Sequence, residues 1–430
     1  MKNKDPNDVF IEYSKSILHL FKSTILNLRE ITDAAKELNA ELFATIHSTK
    51  SQAKDIDSHK AILREKQDYV NKAKEVHDMG LGAKLSSNSA FIYMIALFEN
   101  FLTNYMQALL YSRKDYFDKY KQIFLNFALK QQKDKGDDKY VSMLANDKKM
   151  IENFDEIKDK LKVFTNVLGI ATNKQFETAI NEFVEHRERR NLLVHRSTVA
   201  DHKYEKSIKT SGISKKVKDV EKFINEFKKH STFTSVEQEM NGELDLSVDS
   251  IYLSRVFANI HRIITNIGLY ASLDENNKFV SSPVGSTLNE FLIVMYYELN
   301  YIDPIGIFID LVTDIEKNTL KNDLTLIKDD FFKVNMILAA LTMNEHLKKD
   351  SKKTIFRVKD YVKFIEDDLI RDLITSFISR DYKKYLENLE EYVKTYEYSV
   401  TELPYWFMNL RLFEDKEFEN QFKKIFEKTA

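Results

Sequence analysis

The sequence predicts an all-α protein with at most one short β-hairpin, and two observations lead to this prediction. The chain holds only 9 glycines and 4 prolines in 430 residues, whereas average usage would supply about 30 and about 20. Folds rich in strands need many tight turns, which glycine and proline favour. Apolar residues also recur at helical spacing over long stretches, first between Asp8 and Ala44.

The N-terminal helical region is expected to cover residues 1–80. Pro6 suits the start of its first helix, because the first turn of a helix leaves the backbone N–H unused. Residues Ser48–Asp68 are polar and weakly amphipathic, so they form either a solvated helix or an arm. Two glycines in Met79–Gly82 then predict the first break between helices.

A helical bundle is expected over residues 81–273. Its first helix begins at Asn88 and is apolar around most of its circumference up to Phe98, which predicts a central position in the bundle. The dipeptide Asn241-Gly242, followed by alternating apolar residues, is the turn signal of the one expected hairpin. Ser250 is then expected to cap the next helix.

A linker and a second helical domain complete the predicted organisation. Residues 274–286, with the sequence DENNKFVSSPVGS, combine polar side chains with Pro283 and Gly285, which is typical of a linker. Residues 287–430 again show helical periodicity, including the apolar stretches FLIVMYY and MILAALTM. We therefore expect additional helical regions on both sides of the bundle.

Composition and charge narrow the function classes. The 65 Lys and Arg residues nearly balance the 67 Asp and Glu residues, so any contact with nucleic acid must come from a local basic patch. The absence of Cys excludes disulfides, thiolate zinc sites and cysteine nucleophiles. The sequence contains no glycine-rich phosphate loop, which argues against an NTPase. Neither a metal nor a cofactor is expected.

The sequence also bears on the compartment. The first residues lack the apolar core of a secretory signal peptide. The longest apolar run, Ala90–Phe98, is far shorter than the roughly 20 residues that span a bilayer. We therefore expect a cytoplasmic protein without a membrane partner.

One segment concentrates basic residues. Glu185–Arg196, with the sequence EHRERRNLLVHR, holds four arginines in an otherwise neutral chain. On a helix each residue advances by about 100°. With Arg190 at zero, Arg187 lies at about 60°, Asn191 at about 100° and His195 at about 140°. One face of the helix therefore presents two guanidinium groups, an amide and an imidazole.

This combination suits the cleavage of RNA without a metal. His titrates near neutral pH, so His195 can take the proton of a ribose 2′-OH or give one to the leaving oxygen. Arg190 is a permanent cation whose planar fork matches phosphate oxygens and can stabilise negative charge in the transition state. Asn191 can orient the imidazole or the phosphate. Attack by the 2′-OH would restrict the substrate to RNA and leave a 2′,3′-cyclic phosphate.

The string Arg190-Asn191-Leu192-Leu193-Val194-His195 resembles the signature of the HEPN superfamily, an Arg followed by a polar residue and, after a short run, a His. The continuation VHRSTVADHKY is similar to the stretch after this His in the RiboL-PSP-HEPN-like branch, although Thr198 stands where many members carry Gly. The helix Met94–Met106, with its Phe98-Glu99 pair, resembles the first core helix of that branch. The resemblance covers at most Gly82–Tyr270.

The resemblance implies a helical bundle that forms a homodimer and brings two motifs into one composite cleft. It further implies a metal-independent endoribonuclease in toxin or antiphage defence, with RNA as substrate, tRNA as one candidate, and a regulatory partner protein. Arg190, Asn191 and His195 are the catalytic candidates. The supporting candidates are Glu99, Arg187 and Arg196.

Two alternatives stay open from the sequence. Arg189 also satisfies the spacing to His195, although Arg190 is preferred because Asn191 follows it. The second alternative is a non-catalytic, dimerising HEPN-type scaffold whose basic cluster binds RNA or a partner protein. Arg190 and His195 buried in ion pairs would favour the scaffold.

Overall fold

The computed structural model describes most of the chain. The described residues are 4–48, 56–157, 159–170, 174–195, 202–204, 206, 246–273, 283–301, 304–306, 308–309, 312–313, 327, 329–348, 358–396 and 407–424. Helices account for 88% of them and no strand occurs among them, which confirms the predicted all-α fold class. The predicted hairpin turn at Asn241-Gly242 lies outside the described residues.

The helices are long in the first quarter of the chain and shorter toward its end. In the described part of the chain they are α1 (Pro6–Ser48), α2 (Ile56–Ser112), α3 (Lys114–Lys135), α4 (Lys139–Met143), α5 (Asp147–Glu152), α6 (Lys160–Leu168), α7 (Lys174–His195), α8 (Ser250–Ala271), α9 (Pro283–Ile293), α10 (Asp330–Lys348), α11 (Val358–Lys363), α12 (Asp368–Ser379), α13 (Tyr382–Tyr396), α14 (Phe407–Leu412) and α15 (Lys416–Phe422). A short 3₁₀ turn covers Phe154–Glu156, and a π-helical segment covers Val294–Glu298.

Two sequence predictions about helix boundaries are wrong. The expected break at Met79–Gly82 is absent, because α2 continues through it. A helix tolerates an isolated glycine at a cost of about 1 kcal/mol, and no proline accompanies Gly80 and Gly82. The expected linker extends too far, because α9 begins at Pro283. Proline fits the first helical position, where its missing N–H is not needed.

Helix α8 begins where the sequence placed it, but its cap is a different residue. The Asp249 carboxylate accepts a hydrogen bond from the Tyr252 backbone N–H at 2.6 Å. The aspartate thus satisfies a donor that the first turn leaves without an intrahelical partner. Ser250, the predicted cap, is the first residue of the helix instead.

The chain divides into two compact units, and α1, α2, α7 and α8 contribute residues to both. Unit one consists of residues 1–15, 100–176 and 261–430. Three aromatic rings meet in its core, where Phe10 lies 5.9 Å from Phe101 and 5.6 Å from Tyr105 between ring centroids. The domain boundaries predicted from the sequence stay predictions.

A partly buried histidine also belongs to unit one. His261 stacks on Phe291 with 4.1 Å between ring centroids. Burial lowers the pKa of His261 to about 3, so its imidazole is neutral over the physiological range. At neutral pH His261 therefore packs as an uncharged ring.

Unit two consists of residues 16–99 and 177–260. Its core contains an aromatic stack of Phe21 on Phe257, with centroids 4.1 Å apart. Phe98 of α2 meets Phe183 of α7 edge-on at 4.7 Å. The candidate catalytic segment lies on α7, so this unit positions it.

One helical segment, Val70–Ser112, is long and apolar enough to cross a membrane by length and composition. A core helix of a soluble protein passes the same test, and Phe91, Met94 and Phe98 in this segment are fully buried in the protein. The finding is weak evidence for a membrane span. The compartment stays a prediction.

Candidate functional site

Within unit two, α7 packs against α8 in antiparallel orientation. His186 Nδ1 lies 2.7 Å from the Tyr252 hydroxyl. Further along α8 and further back along α7, Arg255 Nη2 donates to Glu182 Oε1 at 3.0 Å. One face of α7 is therefore committed to helix packing.

A fully buried carboxylate, that of Glu185, lies on this face. Its Oε1 accepts hydrogen bonds from Arg189 Nε, at 2.9 Å, and from the Tyr204 hydroxyl. Its Oε2 accepts a hydrogen bond from the Tyr252 hydroxyl at 2.5 Å and lies 3.1 Å from His186 Nδ1. All five side chains are almost completely buried. We call these five residues the Glu185 cluster.

The Glu185 cluster contains a permanent ion pair. Burial by itself raises the pKa of Glu185, but the charge of Arg189 and the hydrogen bonds outweigh burial and lower the pKa to about 2. Burial by itself lowers the pKa of Arg189, but the negative charge of the Glu185 carboxylate outweighs burial and raises this pKa. Burial raises the pKa values of Tyr204 and Tyr252 well above the ordinary range. Both phenols therefore stay neutral donors.

Arg189 is fully enclosed by this cluster. Its guanidinium carbon lies 3.9 Å from the ring centroid of Tyr252, a cation–π contact, and its side chain has no exposed surface. A guanidinium held between a carboxylate and an aromatic ring cannot reach a phosphate in solvent. Of the two arginines that satisfy the spacing to His195, Arg189 therefore stabilises the fold.

Arg190 has different surroundings. It is partly exposed, and its Nη1 donates to Asn191 Oδ1 at 3.1 Å. Its Nε is buried without a hydrogen-bond partner among the described residues. No carboxylate in the described part of the chain forms an ion pair with Arg190, so its guanidinium keeps hydrogen-bonding capacity for a ligand.

His195 is the last residue of α7 and is exposed to solvent. Helical geometry puts its Cα about 8–9 Å from that of Arg190, a distance that an arginine side chain can bridge toward a shared phosphate. Asn191 lies between the two around the helix and is partly exposed. The three catalytic candidates thus lie on one accessible stretch of α7.

The supporting candidates are less closely associated with this stretch. Arg187 is partly exposed and its Nε lies 3.8 Å from Glu188 Oε1, a loose surface pair. Glu99 is partly buried on α2. Arg196 lies outside the described residues.

Sequence reasoning missed the Glu185 cluster. A signal for part of it was present, because Glu185 and Arg189 are four residues apart and such a pair shares a helix face. Nothing in the sequence indicated that Tyr204 and Tyr252 would complete it. Helical spacing alone cannot distinguish a buried ion pair from a solvated one.

Comparison of the chain with protein-family models, with curated proteins and with solved structures returns no match. Among the described residues, no three His, Asp or Glu side chains converge in a way that could hold a metal ion.

Proposed function

We propose that this protein is a metal-independent endoribonuclease of the HEPN type, with Arg190, Asn191 and His195 as its catalytic residues. The observation that carries the proposal is the contrast between two adjacent arginines. Arg189 is paired with Glu185 and its side chain has no exposed surface, whereas Arg190 is partly exposed and forms no ion pair with a described residue. An accessible guanidinium that no carboxylate neutralises can bind the oxygens of a phosphate group.

The proposed reaction needs an acid–base group and a phosphate clamp. His195 takes the proton of the ribose 2′-OH, whose oxygen attacks the adjacent phosphorus, and the bond from phosphorus to the 5′ oxygen breaks. The leaving oxygen takes a proton, and the products end in a 2′,3′-cyclic phosphate and a 5′-hydroxyl. Arg190 stabilises the charge on the phosphate oxygens in the transition state, and Asn191 orients the Arg190 guanidinium through their hydrogen bond.

A homodimer belongs to the same proposal, as the HEPN resemblance implies. Two copies of His195 in one cleft would let one imidazole accept a proton while the other donates one. RNA, with tRNA as one candidate, is the proposed substrate, and defence against phage or a toxin role is the proposed setting. A regulatory partner protein would control the activity in the cytoplasm.

The test compares the wild-type chain with His195→Ala and Arg190→Met in the presence of EDTA. Labelled tRNA and total RNA are incubated with each protein, and the ends of the products are mapped. We expect the wild type to leave 2′,3′-cyclic phosphate ends, and each substitution to reduce cleavage at least 100-fold, on the order of what general acid–base groups and charge stabilisation contribute. Equal cleavage by wild type and His195→Ala would overturn the assignment.

A second candidate function, a dimerising scaffold, is favoured by an exposed apolar stripe on α2. Val70, Leu81 and Leu85 are 56%, 46% and 66% exposed, and helical geometry puts them within about 60° of one another. We propose a second copy of this chain as the occupant in that case.

The scaffold candidate has its own test. Leu81→Lys and Leu85→Lys place charges on the stripe, and the mass in solution is measured by light scattering for wild type and variant. Asn100→Lys, at an exposed position of α2 that lies fifteen residues beyond Leu85, is the matched control. A dimer that is lost only in the two stripe variants supports the scaffold, and a mass that is the same in all four proteins contradicts it.

A further inference from the structure

A second arginine lies on the accessible face of α7 beside Arg190. With Arg190 at zero, Arg187 lies at about 60° and nearly one turn earlier along the helix, so the Cβ atoms of the two arginines are about 5–6 Å apart. Both side chains are partly exposed, and that of Arg187 is 32% exposed. Two guanidinium groups are therefore neighbours on a surface that solvent reaches.

The carboxylates of α7 nearest to Arg187 in sequence lie on other faces of the helix. Measured from Arg190 in the same way, they lie at about 160°, 220° and 280°, and they belong to Glu188, Glu185 and Glu182. Glu185 is paired with Arg189 inside the protein, and Glu182 accepts a hydrogen bond from Arg255 at 3.0 Å. Two of the three carboxylates therefore bind other arginines.

The third carboxylate, that of Glu188, contacts Arg187 only loosely. Its Oε1 lies 3.8 Å from Arg187 Nε, which is too long for a hydrogen bond, and the side chains of consecutive helical residues do not face each other. A surface pair of this kind contributes little to stability. The planar donors of Arg187, which match the oxygens of a phosphate group, are therefore not occupied by Glu188.

We propose that Arg187 binds the phosphate group next to the scissile one, so that α7 holds two consecutive phosphates of the RNA strand. This inference rests on the proposed function, in which Arg190 binds the scissile phosphate. The two arginines lie side by side with no carboxylate of α7 between them, and an RNA strand presents its phosphates at regular intervals to such cations. The substrate that fills the site is therefore a strand with at least two phosphates.

The test uses short substrates with a single ribonucleotide, so that one phosphate alone can be cleaved. A dinucleotide carries only that phosphate, and two trinucleotides add a second phosphate on its 3′ side or on its 5′ side. kcat and KM are measured for the wild type, Arg187→Met, Arg190→Met and the control Lys36→Met, which removes an exposed cation of α1. We expect Arg187→Met to raise KM about 10-fold for a trinucleotide, as for the loss of a hydrogen bond to a charged group, with kcat within about twofold and the dinucleotide unaffected. Arg190→Met should impair the cleavage of all three substrates.

The outcomes separate this inference from the proposed function. A loss confined to one or both trinucleotides supports the two-phosphate site, and the affected substrate shows on which side the second phosphate binds. An equal loss for the dinucleotide, or no loss beyond that of Lys36→Met, overturns it. A wild-type protein that cleaves no RNA refutes the proposed function, and calorimetric titration with the all-deoxy forms then decides the inference. Weaker binding by Arg187→Met of a trinucleotide, but not of the dinucleotide, supports the two-phosphate site, and the absence of that difference overturns it.

Discussion

The two adjacent arginines of α7 give the sharpest prediction. Replacing each by methionine keeps an unbranched side chain and removes the charge. Arg189→Met is expected to lower the free energy of unfolding by about 3–5 kcal/mol, because it leaves the buried Glu185 carboxylate without its counter-charge. Loss of the cation–π contact with Tyr252 is part of this cost.

Arg190→Met should behave differently. Arg190 contacts its neighbour Asn191 and forms no ion pair with a described residue, so the expected change in unfolding free energy is below about 1 kcal/mol. The substitution can even stabilise the fold, since it removes a buried Nε that has no hydrogen-bond partner in the described part of the chain. RNA cleavage, in contrast, should be lost in this variant.

The pH dependence adds a second signature to Arg189→Met. In the wild type the pKa of Glu185 is about 2, below the ordinary 4.5, so the ionised carboxylate stabilises the fold above pH 4.5 and this contribution is lost as the pH falls toward 2. Without Arg189, burial dominates and raises the pKa of Glu185. The variant's deficit relative to wild type should therefore shrink as the pH falls from 7 to 5.

Urea denaturation followed by circular dichroism measures these differences at pH 7 and at pH 5. The double variant Glu185→Gln with Arg189→Met tests the coupling, and its loss should be smaller than the sum of the single losses. Equal destabilisation by Arg189→Met and Arg190→Met would refute the distinction between a structural and a functional arginine.

Three further predictions concern the remaining fold. Because the pKa of His261 is about 3 in the folded protein and near 6.5 when unfolded, unfolding free energy should fall by up to about 1.4 kcal/mol per pH unit below pH 6.5. His261→Phe should flatten that dependence in urea titrations, and an unchanged slope would contradict neutral burial. Gly82→Ala should stabilise by about 0.5–1 kcal/mol, since its β-carbon meets nothing within 4 Å; a lower melting temperature would contradict this. Gly268→Ala should destabilise by about 1–3 kcal/mol, because its β-carbon would lie 2.6 Å from Phe10 Cζ, and calorimetry that shows no loss would count against such close packing.

The fold class was predictable because helical periodicity is a local property. Apolar spacing along Asp8–Ala44 predicted the first helix, and the observed α1 covers Pro6–Ser48. Helix boundaries were less predictable, because a glycine lowers helix stability while the residues around it favour the helix. Gly80 and Gly82 lower helix stability without ending the helix, since the surrounding residues favour it.

The candidate site was only partly predictable for a different reason. Helical spacing places Arg190, Asn191 and His195 along one stretch of α7, and the structure leaves all three at least partly accessible. Spacing to His195 allowed both Arg189 and Arg190, and Arg190 was preferred because Asn191 follows it. The burial of Arg189 against Tyr252 could not be read from spacing, because Tyr252 is distant in sequence. A contact of this kind becomes visible only when α7 and α8 are placed side by side.

The charges of α7 therefore fall into two groups, those paired inside the protein and those without an ion-pair partner among the described residues. Glu185 and Arg189 are buried together, and each makes the other tolerable inside the protein. Arg190 is partly exposed and forms no ion pair with a described residue, so the fold does not neutralise its charge. Under the proposed function, that charge is the one available to a phosphate. That asymmetry between neighbours supports a function for α7 more strongly than the short Arg–His pattern does.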